Sequence, residues 1–217
     1  MEHFKNFLKA VRPALTVTLV LMLICGLAYP LLMNGLSGVL FPKQANGSLV
    51  MADGKAVGSI HVGQEFTEDY FMKGRPSAVH YNTYTVSEDG KKIYLDGSQF
   101  AGIASGSANY GPSNPALVQR VEKDIEAFLA ANPDIRREDI PTDLMTASGS
   151  GLDPHISPAS AAIQLPAIAE ASGLSTEVLN QIVKDNTAGK LLGIFGEETV
   201  NVLGVNADIA EAMGLTQ

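Results

Sequence analysis

Residues 13–42 read PALTVTLVLMLICGLAYPLLMNGLSGVLFP, a stretch without a single charged side chain, and 14–32 within it is almost purely apolar. At a rise of about 1.5 Å per residue, roughly 20 such residues cross the hydrocarbon core of a bilayer. A cleaved secretory signal would carry a shorter apolar region, of about 7–15 residues, ending in a small-x-small site. Here the run continues into Tyr29-Pro30-Leu31-Leu32-Met33 with no such site. The stretch therefore predicts a retained transmembrane anchor over 13–42. Lys5, Lys9 and Arg12 precede it against Glu2 alone, and only Lys43 follows closely. The positive-inside rule then places residues 1–12 in the cytoplasm and 43–217 on the other side of the membrane.

Outside the anchor the chain is acidic. Of 15 Lys and Arg, 12 follow residue 42, and of 23 Asp and Glu, 22 do. A domain with ten more acids than bases is a poor partner for nucleic acid or anionic lipid, and its charge serves solubility. The one cysteine, Cys25, lies inside the apolar stretch, which excludes an intramolecular disulfide and a cysteine metal site.

Residues 43–47 form a polar linker. Two β-like runs follow, 48–51 and 56–62, and Asp53-Gly54 between them signals a hairpin. Residues 66–71 suit about one helical turn, and 83–112, rich in Gly, Ser, Asn and Tyr, reads as a long loop with a strand at 92–95. The clearest helix is 115–131, with Ser113 or Asn114 as cap, Pro115 in its first turn and Leu117, Val118, Val121, Ile125, Phe128 and Leu129 on one face. Further helices are expected from Pro158 to about Ala171, where Gly173 stops the helix, and from Ser175 to about Asp185. Residues 200–205 read as a buried strand before a short helix capped by Asn206. The expected fold is one N-terminal transmembrane helix followed by a small mixed α+β domain with one core.

The signatures of independent catalysis are missing. No G-x-x-x-x-G-K-[ST] occurs, since Gly189-Lys190 is followed by Leu191, and no D-K-T-G, H-E-x-x-H or G-x-S-x-G is present. Ser148, Asp153 and His155 fall within eight residues, but triad members come from separate elements and meet in space. Asp153 and His155 lack the second ligand pair that a metal site needs, and His61 and His80 read as ordinary polar residues. We expect no catalytic and no metal-binding residues. The 148–158 segment fits a tight turn feeding the helix at Pro158, with Gly149, Gly151, Pro154 and Pro158 setting the backbone. Its density of small polar groups also suits a loop laid closely against a partner.

Four segments together resemble the C subunit of the Kdp potassium-transporting ATPase. They are Gly58–Phe66 (GSIHVGQEF), Tyr70-Phe71 with Gly74–Ala78 (GRPSA), Gly111–Pro115 (GPSNP) and Thr146–Pro158 (TASGSGLDPHISP), with Val200–Leu203 and Asn206 completing the match. The resemblance runs from end to end of the chain. It implies an accessory, non-catalytic role in high-affinity potassium uptake in the bacterial inner membrane, with a channel-like subunit and a P-type ATPase subunit as partners. The family is also described as a catalytic chaperone that raises the affinity of the ATPase subunit for ATP, with the glutamine matching Gln64 touching the nucleotide. No cofactor is expected to bind stably, ATP entering only in complex with the ATPase subunit. Partner contacts are expected at Arg75, Pro76, Ser77, Asn114, Ser148, Gly149, Ser150, Gly151, Asp153 and His155.

The chain departs from the family at three positions where basic side chains are expected, now Ala167, Ser172 and Thr199, and residues 84–104 look inserted. Two mechanisms compete. The charge rule puts Gln64 on the side opposite to cytoplasmic ATP, and a glutamine amide cannot hydrogen-bond a nucleotide through a bilayer. The alternative is that the acidic domain caps the external ion entrance while the span packs against membrane helices, Gly26 and Ala28 permitting close approach. A membrane-tethered periplasmic enzyme is the remote third reading. A pilin-like assembly protein lacks support, because Ala10–Pro13 offers no processing site.

Overall fold

The computed structural model describes residues 2–215, the side chains of 3–8 and 10 excepted. It divides into two compact units, 1–48 and 49–217. In the first, α1 (Glu2–Leu23) runs into a π-helical turn at Ile24–Ala28 and continues as α2 (Tyr29–Leu40), followed by one turn, α3 (Pro42–Ala45). Val11–Leu40 is long and apolar enough to cross a membrane. The π turn has a local cause. Pro30 has no N–H to offer the Gly26 carbonyl, and the Tyr29 N–H bonds to Ile24, five residues back.

The second unit opens with the expected hairpin, β1 (Leu49–Ala52) antiparallel to β2 (Lys55–Ser59), in the register Leu49↔Ser59 to Ala52↔Lys55. Asp53 and Gly54 take φ of 51° and 71°, the left-handed pair that a two-residue turn between twisted strands requires. The chain then crosses the domain without regular structure, and 66–71 holds a turn closed by Phe71 N–H on the Glu68 carbonyl instead of a helix. The long 83–112 segment contains a second hairpin, β3 (Tyr84–Val86) with β4 (Lys92–Tyr94), whose Tyr84, Tyr94 and Phe100 rings pack together.

Helix α4 spans Pro115–Ala131, and the Asn114 carboxamide oxygen accepts the Ala116 N–H as its cap. After α5 (Thr142–Met145) come β5 (His155–Ile156), α6 (Pro158–Ala162), α7 (Leu165–Ser172), α8 (Thr176–Asp185), β6 (Thr187–Ala188), β7 (Thr199–Asn201) and α9 (Val202–Ala212). The last strands form one small antiparallel sheet in the order β5-β7-β6.

Three further expectations need correction. The helix over 158–171 is two helices, because Pro166 cannot donate to the preceding turn and the chain breaks at Ile163-Gln164. The apolar run 200–205 is not one strand. Only Thr199–Asn201 is extended, Asn201 caps α9 by accepting the Gly204 N–H at 2.9 Å, and Asn206 lies buried within the helix. Val202, Val205 and Ile209 recur at helical spacing and bury one face, which decides the matter. Finally, the buried residues form two clusters. Met72, Leu179, Val200, Val205 and Ile209 centre the main one, and Ile125, Leu144 and Met145 form a second under α4.

Candidate functional site

The quoted motifs meet in space, and glycine is what lets them. The Gly63 N–H bonds the Leu152 carbonyl at 2.9 Å, bringing the end of the first hairpin onto the 146–155 loop. A Cβ at Gly63 would meet the Tyr81 ring and lie 2.6 Å from the Asp153 carbonyl oxygen. Gly151 is similarly enclosed. Its N–H donates to the Ser105 carbonyl at 2.9 Å, its carbonyl accepts the Ser77 hydroxyl at 2.7 Å, and an added Cβ would press on Val79 and the Gly106 carbonyl.

Arg75 stands over this junction. Its Nε donates to the Thr146 carbonyl at 3.2 Å and its Nη1 to Asp153 Oδ2 at 3.4 Å, with both charged side chains about three-quarters buried. Asp153 Oδ1 accepts the His155 N–H at 3.0 Å, which shapes the turn into β5. The Tyr81 hydroxyl donates to the Arg75 carbonyl at 2.7 Å. Burial first, and then the Asp153 carboxylate, push this phenol up to about 12 against the opposing pull of Arg75, so it remains a donor at every physiological pH.

Tyr81 sits in an unusual backbone. His80, Tyr81 and Asn82 take φ of 47°, 51° and 55°, three consecutive left-handed residues without a glycine. Each costs about 1–2 kcal/mol. The turn is held by Tyr81 N–H on Ser77 Oγ at 3.0 Å, by Asn82 exchanging two hydrogen bonds with Ala104, and by His80 stacking on Tyr94 at 4.6 Å. Apart from Asn82, a residue type tolerant of this conformation, no feature of the sequence signals the turn. His80 is thus an anchoring residue as well as a polar one.

Beside the junction lies a small cavity of about 190 Å³ that Gln64, Glu65, Lys73, Arg75, His80 and Tyr81 help to line. The Gln64 amide does not point freely into it, since Nε2 donates to the Val57 carbonyl at 2.7 Å. Glu65 Oε2 is buried and has no hydrogen-bond partner. Burial raises the Glu65 pKa, with His80 acting against the shift and Asp96 adding to it. A larger groove of about 710 Å³ lies between α4 and α7, walled by Phe128, Leu144 and Ile168, and Ala167 lines it where a basic residue was expected.

The structure thus joins Gln64, Arg75, Pro76, Ser77, Gly151, Asp153 and His155 in one region, and spends most of their polar groups internally. Ser148 and Ser150 hydroxyls accept the N–H groups of Ser150 and Leu152, turning the loop at the exposed Gly149. Asn114 serves α4 instead. Among the described residues no group of three or more His, Cys, Asp and Glu is placed to hold a metal.

The motif residues thus bond largely to one another, and the family follows from the whole chain. The family model described as "K+-transporting ATPase, c chain" matches residues 11–211. The chain belongs to the KdpC family. A potassium-transporting ATPase KdpC subunit of Clostridium kluyveri is 61% identical over 97% of each chain. That of Clostridioides difficile is 55% identical over 96% of this chain and 100% of its own. That of Bacillus cereus is 40% identical over 93% and 95%. As a KdpC family member the chain is a subunit of a potassium-transporting ATPase, carrying one N-terminal helix suited to a bilayer and a small α+β unit.

Sequence reasoning missed three side chains that hold the unit together and gave a fourth, Asn206, the wrong role. Asn206 and Gln164 satisfy the backbone of residues 72 and 73, and Asp143 binds Ser157 and Ser160. Tyr81 closes the motif junction. Polar residues amid apolar periodicity, as at Asn206 and Gln164, were the available signal for the first two.

Proposed function

We propose that this chain is a non-catalytic subunit that holds the channel-like and P-type ATPase subunits of the complex together, anchored by 13–42, with 43–217 outside the cytoplasm and capping the ion entrance. The observation that carries this reading is the Gln64 amide, which donates its hydrogen bond to Val57 of the same chain. That bond commits one N–H of the amide to the chain's own backbone and leaves only Oε1 and the second N–H to offer a nucleotide. The internally bonded motif residues and the acidic surface fit a rigid spacer better than a site that turns over substrate. Ala167, Ser172 and Thr199 stand where the resemblance leads one to expect basic side chains, so these positions offer no cations to phosphates.

The test is topology followed by truncation. With Cys25→Ser as background, Glu88→Cys places one thiol on the exposed β3–β4 turn. Labelling of intact cells by a membrane-impermeant maleimide supports the capping reading, and labelling only after lysis transfers the case to ATP-affinity enhancement through Gln64. A chain cut after residue 42 should then lose potassium uptake while the ATP affinity of the ATPase subunit is unchanged. Normal uptake by that truncation would overturn the proposal.

A further inference from the structure

The connection between β6 and β7 carries Leu191, Leu192, Ile194 and Phe195, which are 69%, 81%, 75% and 62% exposed. Isolated exposed apolar side chains are ordinary on a protein surface, whereas four within five residues form a patch that calls for a cover. The backbone beneath them is well satisfied. Leu191 and Phe195 exchange both N–H···O bonds, at 2.8 and 3.0 Å, and the Gly193 N–H closes the tip on the Lys190 carbonyl at 2.9 Å. Leu192 takes φ of 54° and Gly193 74°, the left-handed pair that closes the tip, and the side chains around it stand in solvent. The tip is a formed hairpin with apolar side chains that the fold of its own unit leaves uncovered.

We infer that this tip, Leu191–Phe195, is an anchor that inserts into an apolar recess, rimmed by basic groups, on another subunit of the potassium-transporting ATPase. The inference rests on the proposed assembly role and names one of its contact points. Charge decides between protein and lipid. Segments that enter a bilayer interface carry Lys or Arg on the polar side and often Trp or Tyr at headgroup level. The chain contains no Trp, and 189–198 contains no Tyr. The single cation beside the tip, Lys190, is paired with Glu197 at 3.2 Å, and Glu198 follows. With Lys190 and Glu197 neutralising each other, Glu198 leaves the tip with a net negative charge, which is repelled by an anionic leaflet and complements a basic rim on a protein. A preorganised hairpin presenting Leu and Phe loses little conformational freedom on docking, the property of a binding anchor.

The experiment uses the full complex with a benzoylphenylalanine photo-crosslinker in place of Leu192, and a control with the probe at Ile103, which is exposed singly. Irradiation should join the Leu192 probe to another subunit and leave the Ile103 probe unjoined. Crosslinks to lipid alone, to a second copy of this chain alone, or to nothing would each overturn the inference. The double variant Leu192→Ser/Phe195→Ser supplies a second measure. It should weaken retention of the chain in the complex at least about tenfold without altering its melting temperature, because neither side chain is buried in the unit. Undiminished retention overturns the inference as well. Failure here leaves the truncation result at 42 standing, and normal uptake by that truncation defeats the assembly role whatever the crosslinker touches.

Discussion

Asn206 and Met72 form a buried two-bond clasp across 134 positions of sequence: the Met72 N–H donates to Asn206 Oδ1 at 2.8 Å, and Asn206 Nδ2 donates back to the Met72 carbonyl at 2.9 Å. The next residue is held the same way. The Lys73 N–H donates to Gln164 Oε1 at 2.8 Å, and Gln164 Nε2 donates to the Lys73 carbonyl at 3.2 Å. Residues 72–73 lie in no strand, so two side-chain amides stand in for the neighbour that a sheet would supply. This lets an irregular segment run through the main core and carry Arg75–Ala78 to the motif junction.

Asn206→Leu should therefore destabilise the chain by about 2–4 kcal/mol, since it strands one buried N–H and one buried carbonyl. Asn206→Asp should also destabilise, because an ionised carboxylate accepts from Met72 but cannot donate to it. Denaturant unfolding of the detergent-solubilised chain measures both. A loss below about 0.5 kcal/mol for Asn206→Leu would show that water replaces the clasp.

Gly63→Ala tests the motif junction. The added methyl would sit 2.6 Å from a backbone carbonyl oxygen and against the Tyr81 ring, whose hydroxyl is fixed on Arg75. A cost of about 1–3 kcal/mol is expected, as for other overpacked sites. Gly149→Ala is the matched control: nothing lies within 4 Å of its Cβ, and it should fall within about 0.5 kcal/mol of the parent. Equal unfolding midpoints for the two variants would remove the packing role assigned to Gly63.

How far the sequence could be read depended on the range of the interaction. The apolar stretch, the Asp53-Gly54 turn and α4 with its Asn114 cap depend on neighbours a few residues away, and all were legible. The break between α6 and α7 was legible in principle from Pro166, yet it is completed by Gln164 turning toward Lys73, a partner 91 residues distant. Asn206 misled because asparagine is a common helix cap, whereas here Asn201 caps and Asn206 clasps Met72. At the motif junction the residue types were legible and their pairing was not. Nothing in Arg75, Gly63 or Gly151 says which loop each will meet.

Asp143 carries a pH prediction of one sign. Burial alone would raise its pKa, but hydrogen bonds from the Ser160 hydroxyl at 2.7 Å and from the Ser157 N–H and hydroxyl outweigh it and hold it below 3.8. A depressed folded pKa means stability that is present above 3.8 and lost as pH falls through the folded value. Asp143→Asn should cost about 1–2 kcal/mol at neutral pH, the exposed part of the carboxylate limiting the effect. It should also flatten the acid limb of a plot of melting temperature against pH. An unchanged acid limb in the variant would assign acid sensitivity to other carboxylates.

Glu65 carries the opposite sign. Its folded pKa is raised above 4.5, first by burial and then by Asp96, with His80 opposing. Between 4.5 and the raised value the folded chain binds more protons than the unfolded one, so this group makes stability fall as pH rises through that window. The buried, unpartnered Oε2 gives the structural reason: once the proton leaves, the carboxylate is charged with one oxygen cut off from water. Glu65→Gln keeps the shape and removes the ionisation. It should raise the melting temperature above the window and leave it nearly unchanged below, so that the parent and variant curves diverge as pH increases. Curves that stay parallel across the window, or a variant less stable at pH 7 than the parent, would mean that ionised Glu65 is held by a partner.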